Sequence, residues 1–313
     1  MLQPSKPQRT GFALSIVVII FLQTASFSTA RPAIRQENRA EPAAQLDTKK
    51  IDAIIGRSGE MKDGVYKIGL PRTDLKVRAD GVDIKPALAL GSWLAFKRMG
   101  DHTVVMGDLV LLENEINPVL AKLEDNGIEI SAIHNHVAGE QPHVMYMHFM
   151  GHGDEAKLAK GLKDALALSA TPMGPAPTAA SAASSHDWKS VQEAIGLQGR
   201  ERGGVLQIGV PRKERITMAD GMEVPAFMGT ATAINFQPTE KGAAITGDFV
   251  MTATEVNAVI RELKKGGIQI TALHSHMLDE SPRLFFLHFW ANDDAMKLAR
   301  ALRAALEKTN SSL

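Results

Sequence analysis

The sequence predicts an α+β protein made of two tandem homologous domains, each a mixed or antiparallel sheet with a β-α-β-β-α second half and helices on one face. Three observations carry that expectation. The chain matches itself when shifted by 140 residues, a bland Ala/Ser/Pro segment separates the copies, and each copy is strand-rich first and mixed afterwards, ending in a helix with leucines at four-residue spacing. The self-match aligns Gly69-x-Pro71-Arg72 with Gly209-x-Pro211-Arg212, Asp80-Gly81 with Asp220-Gly221, Gly107-Asp108 with Gly247-Asp248, and Glu115-x-Asn117 with Glu255-x-Asn257. A match sustained over a whole domain is a duplication rather than a short solenoid repeat.

The elements of the first copy follow in order. "VYKIGL" reads as a strand, and "LKVRADGVDI" as a hairpin turning at Asp80-Gly81, where Gly accepts the positive φ such a turn needs. "HTVVMGDLVLL" is a buried strand, and a helix follows near Glu113 to Asp125. Gly127 and Gly267 stop the equivalent helices of the two copies, and Thr252-x-x-Glu255 has the capping-box form. "IEISAIHNH" is the next strand and "HVMYMHF" its return. Leu158, Leu162 and Leu166 then mark the apolar face of a final helix.

Residues 1–30 have the layout of a secretory signal: Lys6 and Arg9, then the apolar stretch Gly11 to Leu22, then small residues ending at Ala30. Residues 31–46 read as a disordered lead-in, 47–168 as the first domain, 169–186 as a flexible linker and 187–309 as the second domain. The expected address is therefore exported, periplasmic or secreted, with no stable membrane span after signal cleavage. Removing Lys6 and Arg9 from the 35 basic residues leaves 33 against 35 Asp and Glu, a balance that points away from a nucleic-acid partner. The absence of cysteine excludes a lipobox, thiolate metal sites and thiol catalysis.

Chemistry concentrates in two equivalent stretches, "HNHVAGEQPHVMYMHF" from His134 and "HSHMLDESPRLFFLHF" from His274. Side chains alternate along a strand, so His134 and His136 are expected on one face, and the return strand brings His148 beside them. Three neutral imidazoles suit a borderline divalent ion, Zn²⁺ first, with His274, His276 and His288 doing the same in the second copy. Glu140 and Glu280, in the loop of each hairpin, are the candidate catalytic acid or base. Six of the ten histidines fall in these sets. The competing reading is a half-buried polar cluster without an ion.

Other polar residues have simpler explanations. Arg72 and Arg212 are expected in salt bridges, Glu115 and Glu255 at helix starts, and Asp108 and Asp248 in Gly-Asp turns, with a supporting contact to an imidazole as the alternative. No nucleotide-binding Gly loop, nucleophile elbow or H-E-x-x-H helix occurs.

The run "GDFVMTATEVNAVIRELKKGGIQITALHSHMLDESPRLFFLHFW" and its partner "GDLVLLENEINPVLAKLEDNGIEISAIHNHVAGEQPHVMYMHFM" resemble the LppY/LpqO family of exported bacterial domains of unknown function. The first copy departs at Val137, His143 and Met150, where the second has Met277, Arg283 and Trp290. The resemblance implies a cell-envelope address and two tandem domains and supplies no reaction. Besides reversible metal buffering without turnover, two function classes remain open. One is a metal-dependent hydrolase or lyase acting on a small molecule; the other is a non-catalytic envelope module that binds a ligand or a protein.

Overall fold

The computed structural model describes residues 45–175 and 186–313. The expected signal segment, most of the lead-in and the middle of the linker lie outside the described residues.

The first repeat runs α1 (Thr48–Ile55), β1 (Glu60–Lys62), β2 (Val65–Pro71), β3 (Val77–Ala79), β4 (Val82–Ile84), α2 (Pro86–Ala89), β5 (Gly91–Met99) and β6 (His102–Leu112). It continues with α3 (Glu113–Asp125), β7 (Ile128–His134), β8 (Val144–Gly153) and α4 (Glu155–Leu166). The second repeat runs α5 (Lys189–Ile195), β9 (Arg200–Arg202), β10 (Val205–Pro211), β11 (Ala231–Thr239) and β12 (Gly242–Thr252). It ends with α6 (Val256–Lys265), β13 (Gln269–His274), β14 (Leu284–Asp293) and α7 (Ala295–Leu306). Each repeat folds one six-stranded sheet, ordered β1-β2-β5-β6-β8-β7 and β9-β10-β11-β12-β14-β13, with every pair antiparallel.

Strand β6 shows why the sheets stack. Val105, Leu109 and Leu111 pack with Leu158, Leu162 and Ile51 from the helices. The alternate residues Val104 and Met106 pack instead with Met218, Met222 and Phe286 of the second repeat. Period two with both faces apolar is a strand buried on both sides, and the result is four layers: helices, sheet, sheet, helices. Two apolar clusters, each drawing on both repeats, form the core between the sheets.

The hairpin β3-β4 turns where expected. Asp80 has φ 48° and Gly81 φ 76°, the pair of positive values of a type I′ turn. Asp80 also accepts a 2.6 Å hydrogen bond from Nε1 of Trp290, which explains why the second copy carries Trp where the first has Met150. Arg72 forms the expected salt bridges, to Asp74 at 2.9 Å and Glu115 at 2.7 Å, and Arg212 repeats them with Glu214 and Glu255. Glu115 and Glu255 do more than offset a helix dipole, since each also accepts from the backbone N–H of Leu112 or Thr252.

The start of the linker packs on the first repeat. Ala170 N–H donates to Glu115, and the carbonyls of Pro172 and Gly174 accept from Arg57. No helix among the described residues is long and apolar enough to cross a membrane.

Candidate metal centre

The two histidine sets do not form two separate sites. They meet between the sheets. His134 stacks on His274 with ring centroids 3.5 Å apart, His136 on His288 at 3.8 Å, and His148 on His276 at 3.7 Å. Within each set the spacing is matched: His134 to His148 is 5.0 Å and His274 to His288 is 4.9 Å. This near two-fold arrangement is held by reciprocal bonds. Ser131 Oγ donates to the carbonyl of His276 at 2.6 Å, and Thr271 Oγ1 donates to the carbonyl of His136 at 2.6 Å.

Register explains part of the convergence. His148 on β8 stands opposite Asp108 on β6, and His288 on β14 opposite Asp248 on β12, so each acid shares a sheet face with its histidine. Strand β7 ends at His134, after a bulge between Ile130 and Ala132, and His136 lies just beyond it against the Tyr146 ring at 3.3 Å. His276 packs likewise on Phe286 at 3.5 Å.

The Gly-Asp pairs are not turns, contrary to expectation. Gly107-Asp108 and Gly247-Asp248 lie in the middle of buried strands. A Cβ at Gly107 would overlap the Phe149 ring and the Trp93 carbonyl, and at Gly247 the Ala233 carbonyl. Close backbone approach, rather than a turn, requires these glycines. The neighbouring acids point at the histidines: Asp108 Oδ2 is 3.8 Å from His136 Nε2, and Asp248 Oδ2 is 3.3 Å from His276 Nε2.

Each imidazole keeps Nε2 buried and without a hydrogen-bond partner. Four have Nδ1 directed at a backbone carbonyl: His134 at Asn135, His274 at Ser275, His288 at Gly247 and His148 at Gly107. That bond places the proton on Nδ1 and leaves the Nε2 lone pair facing the cluster, the tautomer a metal ligand needs. Six orphaned buried ring nitrogens are costly in a packed interior unless something completes them. Two donor sets have atoms within 4.8 Å of one another, His134, His136 and His148, and His134, His274, His276 and His288.

Burial, reinforced by the His274 imidazole, pushes the His134 pKa down to about 3. Burial pushes His274 down to about 4 and holds His136, His148, His276 and His288 well below the ordinary imidazole value. All six are neutral at pH 7, as ligation requires. Burial raises Asp108 to about 8, even with the Lys67 ammonium acting against it, and Asp248 well above the usual carboxylate range, so both are mostly protonated at pH 7.

Glu140 and Glu280 sit elsewhere. Glu140 accepts from Val144 N–H at 3.2 Å and pairs with His143 at 2.9 Å, while Glu280 accepts from Leu284 N–H at 2.8 Å and pairs with Arg283 at 3.2 Å. They clamp the hairpin loop, and His143 replaces Arg283 in that task. Neither lines the cavity that reaches the histidines, whereas Asp108 and Asp248 both do. These two aspartates are hard to single out in the sequence, because Gly-Asp is a common turn pair.

No curated protein matches the chain. Two solved structures align over most of its length at low similarity. A trimeric bacterial microcompartment shell protein, PduB, is 12% identical over 80% of this chain and 89% of its own, with a TM-score of 0.21. EtuB from Clostridium kluyveri is 10% identical over 79% and 90%, with a TM-score of 0.19. Likeness at that level carries no argument about fold or function. The family comparison is of another kind, because its model matches twice, over residues 49–168 and 189–308, the two repeats that together bring the histidines into one cluster. The chain belongs to the DUF1259 family, a domain of unknown function, and carries that domain twice in tandem.

Proposed function

We propose that the paired domains build a single divalent-metal centre between their sheets and use it on a small molecule, as a metal-dependent hydrolase or lyase. The observation that carries this reading is the set of six buried imidazole Nε2 atoms without partners, four of them fixed in the ligating tautomer by backbone carbonyls. Neutral nitrogen donors suit Zn²⁺, and at three imidazoles each the cluster has donors for two ions at most. A bound ion would supply Lewis acidity, polarising a carbonyl or activating water. Asp108 and Asp248 are the carboxylates positioned to complete the donor set or to hold a proton beside it. Glu140 and Glu280 shape the loop over it.

The finer assignment, an exported LppY/LpqO-type envelope protein, belongs to the same proposal and rests on residues 1–30 and the motif. Its check is the N-terminal sequence of the mature protein, expected to start at Arg31.

The metal is tested by elemental analysis of tag-free protein, as purified and after incubation with Zn²⁺, Mn²⁺, Fe²⁺, Co²⁺ or Ni²⁺. Near-stoichiometric metal is expected, and the His134→Ala/His274→Ala variant, which removes the stacked pair joining the repeats, should lose nearly all of it. Loss of only half would mean two independent sites. Background metal in wild type under every condition would sink the proposal and return the histidines to a structural role.

A further inference from the structure

The near two-fold symmetry fails at the wall of a cavity of about 540 Å³ that opens onto the histidine centre. Its floor includes Asp108, His148, Asp248 and His288. On the first repeat's side the wall carries Lys67 and Trp93, where the second repeat has Gln207 and Ala233. Lys67 lies on β2, on the face turned toward the other repeat, with Gly69 two residues on and no side chain to obstruct it. Its ammonium sits 3.9 Å over the Trp93 ring and 5.3 Å from the Phe227 ring. It donates at 3.2 Å to the Phe227 carbonyl.

Those contacts satisfy the charge incompletely. An ammonium has three donors, and among the described residues only one carbonyl accepts from Lys67, with no carboxylate within ion-pair distance. Asp108 acts on it only from farther off, and burial lowers its pKa to about 8, so it is still mostly protonated at pH 7. Gln207, its counterpart, is satisfied by donating to the Ala87 carbonyl at 2.8 Å. A cation placed on one wall, beside two aromatic rings and facing a cavity, matches a ligand with one charged end and an apolar body. Arg202, the other cation of the wall, is engaged with Glu60 at 3.4 Å. A single ammonium with donors to spare suits a monoanionic carboxylate group better than a phosphate dianion.

We propose that the cavity binds a small organic carboxylate, its charged end on Lys67, its body against Trp93 and Phe227, and its other end at the histidine centre. The far end of that placement rests on the metal reading; the Lys67 end does not.

The test uses benzoate and succinate as probes, with benzamide and succinamide as neutral counterparts and inorganic phosphate as a control. Titrations are followed by calorimetry and by intrinsic tryptophan fluorescence on wild type and Lys67→Gln, each with and without metal. Lys67→Gln installs the residue the second repeat already carries there, and its melting temperature reports whether it folds. Saturable binding of at least one carboxylate is expected, with its amide and phosphate inert. Lys67→Gln should bind at least about tenfold more weakly while its metal content is unchanged. The proposal falls if neither carboxylate saturates by about 10 mM, if amide or phosphate binds as well, or if folded Lys67→Gln binds like wild type. If carboxylate binding depends on Lys67 while the protein takes up no metal, the metal reading falls and the anion site stands. If the protein takes up metal and Lys67→Gln has no effect on carboxylate binding, the anion site falls and the metal reading stands.

Discussion

Acidifying the metal-free protein from pH 6 to pH 5 should destabilise it steeply, and the slope can be worked from the site. A group whose folded pKa is depressed binds more protons when unfolded, so it costs stability as pH falls below its unfolded value. The six cluster histidines are such groups, ordinary at 6.5 when unfolded and pushed to about 4, about 3 or well below when buried. Asp108 and Asp248 oppose them. Their raised pKa keeps a proton in the folded state that the unfolded chain has released above about 3.8, so each contributes stability that grows as pH falls toward that value. Unfolding near pH 5 therefore takes up about six protons at histidine and releases about two at aspartate, a net of about four. At about 1.36 kcal/mol per proton per pH unit, stability should fall by about 5 kcal/mol across that unit.

The window is chosen so that other shifted groups stay silent. Glu115, Glu214 and Glu255, whose pKa values are lowered by Arg72 or Arg212, lose their contribution only below about 4.5. Lys67, lowered to about 8, acts only above that value. The assay is urea unfolding of chelator-treated protein at several pH values between 6 and 5. His134→Gln/His274→Gln should halve the slope, leaving a net uptake of about two protons. A flat or rising stability in wild type would refute the picture of six buried neutral imidazoles, and an unchanged slope in the variant would remove these two from it.

Further predictions follow from single contacts. Saturating the centre with Zn²⁺ at about 100 times Kd should stabilise the protein by about 2.7 kcal/mol, read as a rise in Tm of about 5–10 °C that EDTA reverses. Gly247→Ala should cost about 1–3 kcal/mol or more in urea unfolding, because its methyl group meets the Ala233 carbonyl, while Gly69→Ala, with open space around it, should be mild. Arg72→Met should cost about 3–5 kcal/mol by leaving Glu115 and the Val110 carbonyl buried without their partner. Adding Glu115→Gln to it should cost less than the sum of the two single changes, measured as a double-mutant cycle.

Much of each repeat was legible because its signals are local. The near-continuous apolar run "HTVVMGDLVLL" marks a buried strand, Asp80-Gly81 supplies the two positive φ values of the β3-β4 turn, and Gly127 ends α3 with φ 69°. The same locality misled at Gly107-Asp108, since the dipeptide resembles a turn until the Phe149 ring and Trp93 carbonyl are seen pressing on the glycine. His136 was expected on β7 beside His134 but lies past the strand end, held by Tyr146 and by the Thr271 bond to its carbonyl. Asn135 donates to the Thr271 carbonyl of the other repeat, a partner no spacing within one repeat could name.

The sequence by itself determined the duplication, a mixed or antiparallel sheet in each copy with helices on one face, and the residues of each histidine set, because hydrophobic pattern, turn chemistry and repetition act within a few residues. Only the tertiary structure decided that the two sets are one cluster, that Asp108 and Asp248 rather than Glu140 and Glu280 line its cavity, and that Lys67 faces that cavity beside Trp93 with Gln207 as its counterpart in the other repeat. Those facts depend on how two sheets stack face to face across 140 residues of chain, where burial of the inner apolar faces, and not any local preference, sets which side chains meet.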